Sequence, residues 1–177
     1  MPSVLYLRIS LLMLVIVAPL KGKSQQSAFH QRIDALYERQ DLLLRPGALR
    51  DSLQKGKEVY LLDSRTLEEF RVSHLPGAHR VDFEGFQAGN VDTISTDAMV
   101  VVYCTVGWRS EQIAARLNQA GYQRVYNLYG SIIEWANLGY PLIKPDGQST
   151  QKVHTYSRSW SAYLTQGKPV YDWWKFW

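Results

Sequence analysis

Apolar residues along this chain form short runs that are separated by polar segments. Continuous apolar runs predict buried strands at residues 58–63, 80–83, 98–104 and 125–128. Apolar residues at helical spacing, or between a polar start and a glycine stop, predict helices at 25–39, 66–71, 110–120 and 132–137. Strands alternating with short helices are typical of an α/β domain, here an open, mostly parallel sheet with helices on both faces.

The chain has 177 residues, of which 46% are hydrophobic and 20% charged, enough to bury one sizeable core. One domain with short extensions is therefore expected. We assign residues 1–24 to a signal peptide, 25–44 to a leading helix, 45–145 to the α/β domain and 146–177 to an aromatic C-terminal extension.

The N-terminal segment has the features of a secretory signal. An apolar run at 9–20 follows Arg8 and precedes Gly22 and Ser24, small residues suited to signal peptidase. The run is shorter than the roughly 20 residues that cross a bilayer, although an uncleaved membrane anchor stays open. We expect export, to the periplasm if the organism is bacterial.

Charge gives no support to nucleic-acid binding. The whole chain carries 20 basic and 16 acidic residues, but residues 1–24 hold Arg8, Lys21, Lys23 and no acid. Their removal leaves 17 basic residues against 16 acidic ones, a net charge of +1. The sequence pI of 9.2 therefore depends largely on a removable segment.

Cys104 is the single cysteine, so no internal disulfide can form. It ends the strongest predicted strand and lies just before a predicted helix. At such a position backbone N–H groups and the positive helix end stabilise a thiolate. The alternative is a buried cysteine that only packs, but such a residue does not require the glycine and arginine that follow.

The loop after Cys104 has the composition of an anion cradle. Gly107 permits a tight curve in which several N–H groups face one point, and Arg109 adds a fixed positive charge. Thr105, Val106 and Trp108 complete the loop, with a hydroxyl from Thr105 and a bulky wall from Trp108. We expect Cys104 to act as the nucleophile and residues 105–109 to bind substrate.

Several separate segments resemble the rhodanese family. The resemblance runs from about residue 45 to 145 and departs from the family pattern at Ser131, where a second glycine is common; we expect this to affect packing more than chemistry. The matching segments are Leu-Leu-Asp63-Ser-Arg65 with Glu69-Phe70, His74-Leu-Pro-Gly-Ala78, Tyr103-Cys104-Thr-Val-Gly-Trp-Arg109-Ser110 and Val125-Tyr-Asn-Leu-Tyr-Gly130 with Trp135 and Gly139-Tyr-Pro141.

The resemblance implies a sulfurtransferase. Cys104 would take sulfane sulfur from a donor such as thiosulfate, become a persulfide, and pass the sulfur to cyanide or a thiol. Asp63 and Arg65 could support the active loop, but a local salt bridge with a neighbour such as Glu69 is the favoured interpretation. His74 is expected to be a hydrogen-bonded structural residue.

Other functions fit less well. Cysteine phosphatases resemble this pattern but need a Cys-to-Arg loop one residue longer than residues 105–108 provide. A non-catalytic rhodanese-like module, used for binding or as a sulfur carrier, stays open. The histidines lack paired ligand spacing, so we expect no metal, and we expect no cofactor.

The C-terminal extension is rich in tryptophan, and it allows two interpretations. The favoured one is that it folds back over an apolar face of the domain. The other is that its last residues, Trp-Trp-Lys-Phe-Trp177, contact a membrane surface or a protein partner.

Overall fold

The computed structural model describes residues 18–174, with side chains from residue 24 onward. A five-stranded sheet in which all paired neighbours are parallel forms its centre, in the order β1-β5-β4-β2-β3. These strands are β1 (Leu43–Leu44), β2 (Val59–Asp63), β3 (Ala78–Arg80), β4 (Met99–Tyr103) and β5 (Arg124–Leu128). The predicted α/β class and parallel sheet are confirmed.

Within residues 18–174, six α-helices accompany the sheet, and short 3₁₀ turns lie at 40–42 and 88–91. Thr66 starts the third helix with a capping box: its hydroxyl accepts from the Glu69 N–H, and the Glu69 carboxylate accepts from the Thr66 N–H. The helices are α1 (Ala18–Asp34), α2 (Pro46–Gln54), α3 (Leu67–Val72), α4 (Trp108–Gln119), α5 (Ser131–Asn137) and α6 (Arg158–Ser161).

Strand β4 is buried along its whole length because both of its faces are covered. Val100 and Val102 pack into a core cluster with Ile113 of α4. Val101, on the other face, shares a second cluster with Trp135 of α5. Parallel strands buried on both sides place their carboxyl ends at one edge of the sheet, and β4 ends there immediately before Cys104.

A third apolar cluster joins segments from both ends of the chain. Phe29 and Ile33 of α1 are fully buried in it, together with Trp160 of α6 and Val106 of the loop after β4. The C-terminal extension also forms a small parallel sheet from β6 (Lys152–His154) and β7 (Lys168–Val170). Most of the extension thus folds back over the domain, as the favoured interpretation predicted.

Two predicted elements differ from the structure. The leading helix was predicted over 25–39, but α1 covers Ala18–Asp34. The predicted end of the signal peptide, after Ser24, therefore falls inside this helix. The strand predicted at 80–83 is limited to β3, which pairs only with β2 at the edge of the sheet. Val81 and Phe83 still pack against the core, which explains the apolar pattern.

Other expectations fall partly or wholly beyond the described residues. The apolar run of the predicted signal, and with it any anchor, lies almost entirely in residues 1–17. Among residues 18–174, no helix combines the length and apolar character that crossing a bilayer requires. At the other end, Trp173 and Trp174 are 75% and 58% exposed, and residues 175–177 lie outside the description.

Candidate active site

Cys104 lies between the end of β4 and the start of α4, with only 2% of its surface exposed. Gly107, the N-terminal cap of α4, has φ 106°, a left-handed conformation that favours glycine. This turn directs the Gly107 N–H to the Cys104 Sγ, at 3.1 Å. The glycine predicted to curve the loop therefore donates directly to the sulfur.

The surroundings of Cys104 favour its thiolate form. Burial raises the pKa of the thiol, but the positive charge of Arg109 and hydrogen bonds from Ser110 and Gly107 outweigh it and lower the pKa below the ordinary value of 9.0. The N-terminus of α4 adds further positive potential at the same place. The thiol can therefore act as a nucleophile without a separate general base.

Asn127 of β5 fixes the loop after β4 through two hydrogen bonds. Asn127 is fully buried and donates through Nδ2 to the Gly107 carbonyl, at 3.0 Å. Its Oδ1 accepts from the Ser110 hydroxyl at 2.7 Å. One amide side chain thus fixes both the turn at Gly107 and the first turn of α4.

Ser131 has a larger role than the packing effect predicted for it. It has φ 50°, so it occupies a left-handed conformation that is uncommon for a residue other than glycine. Its hydroxyl accepts from the Cys104 N–H at 3.1 Å, and it donates to the Leu128 carbonyl at 3.3 Å. The serine therefore fixes the backbone of Cys104, which a glycine at this position could not do.

Arg109 is paired with a carboxylate. Its two terminal nitrogens donate to Glu69 Oε2 and Oε1 at 2.8 and 2.9 Å, and one of them also reaches the Thr105 hydroxyl at 3.0 Å. The Thr105 hydroxyl in turn donates to Glu69 at 3.1 Å. Burial raises the Glu69 pKa, but the hydrogen bonds and charge of Arg109, the charge of Arg65 and the Thr66 N–H outweigh it and bring the pKa to about 2.

The pairing of Asp63, Arg65 and Glu69 differs from the predicted one. Arg65 and Asp63 are both fully buried and pair with each other, with Arg65 Nη2 2.7 Å from Asp63 Oδ2. Glu69, the expected neighbour, pairs instead with Arg109. Arg65 Nη2 also donates to the Ser73 carbonyl at 2.6 Å, so the pair fixes the segment around α3 and lies behind the loop rather than in the cavity.

Tyr37 connects the N-terminal segment to the active loop. Its hydroxyl donates to the Val106 carbonyl at 2.6 Å and accepts from the Gly130 N–H at 3.0 Å. A Cβ atom at Gly107 would collide with the Tyr37 ring, so the glycine is needed for close approach as well as for its φ angle. Burial raises the Tyr37 pKa well above its ordinary value, so the phenol stays protonated and able to donate.

A cavity of about 370 Å³ opens in front of Cys104. The active loop contributes Thr105, Val106, Trp108 and Arg109 to its wall, so the side chains predicted to bind substrate converge there together with the sulfur. Trp108 is 49% exposed and its ring lies 5.8 Å from that of Phe83. The rest of the wall comes from Arg32, Leu36, Tyr156 and Trp160, which lie outside the loop.

Sequence reasoning missed these wall residues, as well as Tyr37 and Asn127. Glu69, the partner of Arg109, is the exception. The Thr66-x-x-Glu capping box can be recognised in the sequence, and it fixes the Glu69 carboxylate at the start of α3. His74 matches its prediction: Nδ1 lies 3.1 Å from the Phe70 carbonyl, and the two rings stack at 3.8 Å. Among residues 24–174, no three His, Cys, Asp or Glu side chains are grouped to hold a metal ion.

A family model described as the rhodanese-like domain matches residues 45–138. A sulfurtransferase from Allochromatium vinosum is 38% identical over 100 residues, which cover 56% of this chain and 92% of that protein. A tRNA uridine(34) hydroxylase from Listeria welshimeri is 34% identical over 95 residues, which cover 50% of this chain and 29% of that protein. The second relative is thus a much longer protein that includes a similar domain.

The fold is shared with solved structures. The thiosulfate sulfurtransferase from Pseudomonas aeruginosa superposes with a TM-score of 0.55 at 24% identity, over 70% of this chain and 23% of that one. At this identity the likeness concerns the fold alone. The family match begins after Arg32 and Tyr37 and ends before Tyr156 and Trp160, so part of the cavity wall lies outside it.

Proposed function

Because the chain belongs to the rhodanese-like domain family, with sulfurtransferases among its homologues, we propose that it transfers sulfane sulfur through a persulfide on Cys104. The observation that carries this proposal is the Cys104 sulfur itself, which accepts the Gly107 N–H at 3.1 Å and faces a cavity beside Arg109. A thiolate in this position can attack sulfur, and the same donors can hold a charged persulfide.

The reaction has two half-steps. In the first, the Cys104 thiolate attacks the outer sulfur of thiosulfate, the S–S bond of the donor breaks, and sulfite leaves with the bonding electrons. In the second, a nucleophile such as cyanide or a thiolate attacks the outer sulfur of the persulfide, and Cys104 leaves as a thiolate. No general base is needed because the lowered pKa of Cys104 supplies the anion.

Arg109 has an electrostatic role in this scheme. Its charge favours the Cys104 thiolate, while its pairing with Glu69 holds the guanidinium in place at the cavity wall. The sequence predicted that Arg109 binds substrate, and we propose that it binds the anionic sulfur donor in the first half-step. Glu69 offsets much of its charge, which favours release of sulfite over tight binding.

Sulfur uptake by Cys104 is the direct test. We expect the protein to gain the mass of one sulfur atom when incubated with thiosulfate, and to lose it again when cyanide is added, with release of thiocyanate. Cys104→Ser should do neither, with a rate loss of at least about 10³-fold, since an un-ionised serine cannot replace the thiolate. Intact-mass measurement and a thiocyanate assay provide the two readouts.

Two outcomes would change the conclusion. Mass gain without thiocyanate release would favour a sulfur carrier that serves a protein partner. A free, alkylatable thiol that takes up no sulfur from thiosulfate or polysulfide would leave a binding module, and the proposed activity would be wrong.

A further inference from the structure

The cavity in front of Cys104 is larger than an inorganic donor requires. Its volume of about 370 Å³ lies within the range of about 300–1,000 Å³ typical of pockets for small organic ligands. Thiosulfate and cyanide are small anions that would occupy only the part next to the sulfur. The remaining space is bounded by Arg32, Leu36, Tyr156 and Trp160.

This outer part of the cavity combines an apolar wall with one cation. The Arg32 guanidinium lies over the Trp160 ring, 4.1 Å from its centroid, and 5.5 Å from that of Tyr163. Stacking on these rings restrains a side chain that is otherwise exposed. The ring of Trp160 packs into the cluster formed with Phe29 and Ile33, so the aromatic platform is itself fixed.

Arg32 differs from Arg109 in its charge balance. Arg109 forms a bidentate ion pair with Glu69, whereas Arg32 makes no salt bridge with any carboxylate in the described part of the chain. Its one hydrogen bond there is a long one, 3.4 Å, to the Tyr163 hydroxyl. A planar guanidinium that is held by stacking and not neutralised suits a carboxylate, which it can bind through two nitrogens.

We propose that the acceptor is a low-molecular-mass organic thiol that carries a carboxylate. Its body lies against Tyr156 and Trp160, and its carboxylate binds Arg32. This rests on the proposed function and specifies the substrate of its second half-step. Arg32 and Trp160 then determine acceptor specificity, although neither belongs to the segment matched by the family model.

The transfer step is balanced without any added oxidant. The acceptor thiol loses its proton to solvent, and its thiolate attacks the outer sulfur of the Cys104 persulfide. A new S–S bond forms as the Cys104 S–S bond breaks, and the bonding electrons leave with the Cys104 thiolate. The product is the persulfide of the acceptor, and the enzyme returns to its starting state.

The test compares N-acetylcysteine with N-acetylcysteine amide, which lacks only the carboxylate, using thiosulfate as donor and rates expressed per thiolate. We expect the native protein to favour the acid. Arg32→Gln should raise the KM for the acid roughly 3- to 10-fold, and change the KM for the amide and the rate with cyanide by less than about 2-fold. Arg32→Lys should recover part of the loss.

Arg50→Gln is a matched control. Arg50 also stacks on an aromatic ring, 4.7 Å from the centroid of Tyr140, but it does not line the cavity. We expect this variant to alter neither acceptor. A native protein that uses acid and amide equally, or an Arg32→Gln variant that affects both alike, would overturn the proposal. Failure to form any Cys104 persulfide would instead overturn the proposed function, so the two failures are distinguishable.

Discussion

The loop after β4 and the two terminal segments contribute to the same cavity in different ways. The loop brings the thiol, the N–H that contacts it and the cation that lowers its pKa, all between Cys104 and Ser110. The terminal segments bring Arg32, Tyr156 and Trp160 as wall and Tyr37 as a brace. Chemistry here is local in the sequence, whereas the shape of the cavity is assembled from distant parts of the chain.

The largest effect on the loop should come from breaking the Arg109–Glu69 pair. Arg109→Met leaves Glu69, which is 1% exposed, as a buried carboxylate without its cation, and we expect a loss of about 3–5 kcal/mol of stability. The pKa of Cys104 should rise as well, because the charge of Arg109 lowers it. Urea unfolding and the pH dependence of iodoacetamide alkylation measure the two effects.

Arg39→Met supplies the control for that prediction. Arg39 pairs with Asp41 at 2.7 Å, but the side chains are 37% and 63% exposed, so the pair lies at the surface. We expect no measurable change in stability, because solvent screens an exposed pair of this kind. Equal losses of stability for Arg109→Met and Arg39→Met would contradict the prediction that burial of Glu69 makes its ion pair the more costly one to break.

Acid should weaken the protein through the same carboxylate. The Glu69 pKa falls from an ordinary 4.5 to about 2 on folding, so its contribution is fully present above pH 4.5 and is lost as the pH falls towards 2. The expected loss is about 3 kcal/mol in full, of which about 2 kcal/mol falls between pH 5 and pH 3. Glu69→Gln should flatten this part of the stability curve, as measured by urea unfolding from pH 5 down to about pH 3. An unchanged slope would assign the acid sensitivity to other groups.

A smaller effect tests whether a terminal segment also controls reactivity. Tyr37→Phe removes the hydroxyl that joins the Val106 carbonyl of the loop to the Gly130 N–H at the start of α5, and should cost about 1–3 kcal/mol. We also expect slower sulfur uptake by Cys104. Tyr60→Phe is the control, because the Tyr60 hydroxyl donates to Glu58, an exposed residue away from the loop. Loss of stability with unchanged sulfur uptake would limit the terminal segment to a structural role.

The smallest effect concerns the end of the extension. Trp173 and Trp174 are exposed, so the double variant Trp173→Ala and Trp174→Ala should change stability by less than about 0.5 kcal/mol and leave sulfur transfer unaltered. Thermal melting and the thiocyanate assay check both. A clear loss of activity would contradict this and would show that the C-terminal segment contributes to the site beyond Trp160.

The sequence predicted the parts of the site that are contiguous. A strand, a glycine, an arginine and a helix start around Cys104 are enough to indicate a thiolate cradle, because each acts on its near neighbours. The same holds for β2, β4 and β5, whereas the two-residue strand β1 lies in the segment 25–44 that was assigned to the leading helix. The edge strand β3 was predicted too late in the chain, at 80–83 instead of Ala78–Arg80, because Val81 and Phe83 pack against the core without belonging to the sheet.

Contacts between distant residues were not predictable in this way. Nothing near Tyr37 or Arg32 indicates that both approach a cysteine many residues later in the chain. The Arg109–Glu69 pair was also missed. Glu69 is close to Arg65 in the sequence and was expected to pair there, but the fold places its carboxylate beside the loop. Which side chains from different elements meet can be predicted only once the order of the strands in the sheet is known.

The position of the cavity wall has an evolutionary consequence. Arg32 and Trp160 belong to segments that precede and follow the matched family domain, so substituting them changes no residue of the central sheet or of the loop after β4. In the proposed scheme, acceptor preference can therefore change through the chain ends while Cys104 and its loop stay the same, provided that Tyr37 and its contacts are kept. A chimera that joins these two ends, Tyr37 included, to another rhodanese-like domain is expected to show the acceptor preference proposed for this chain.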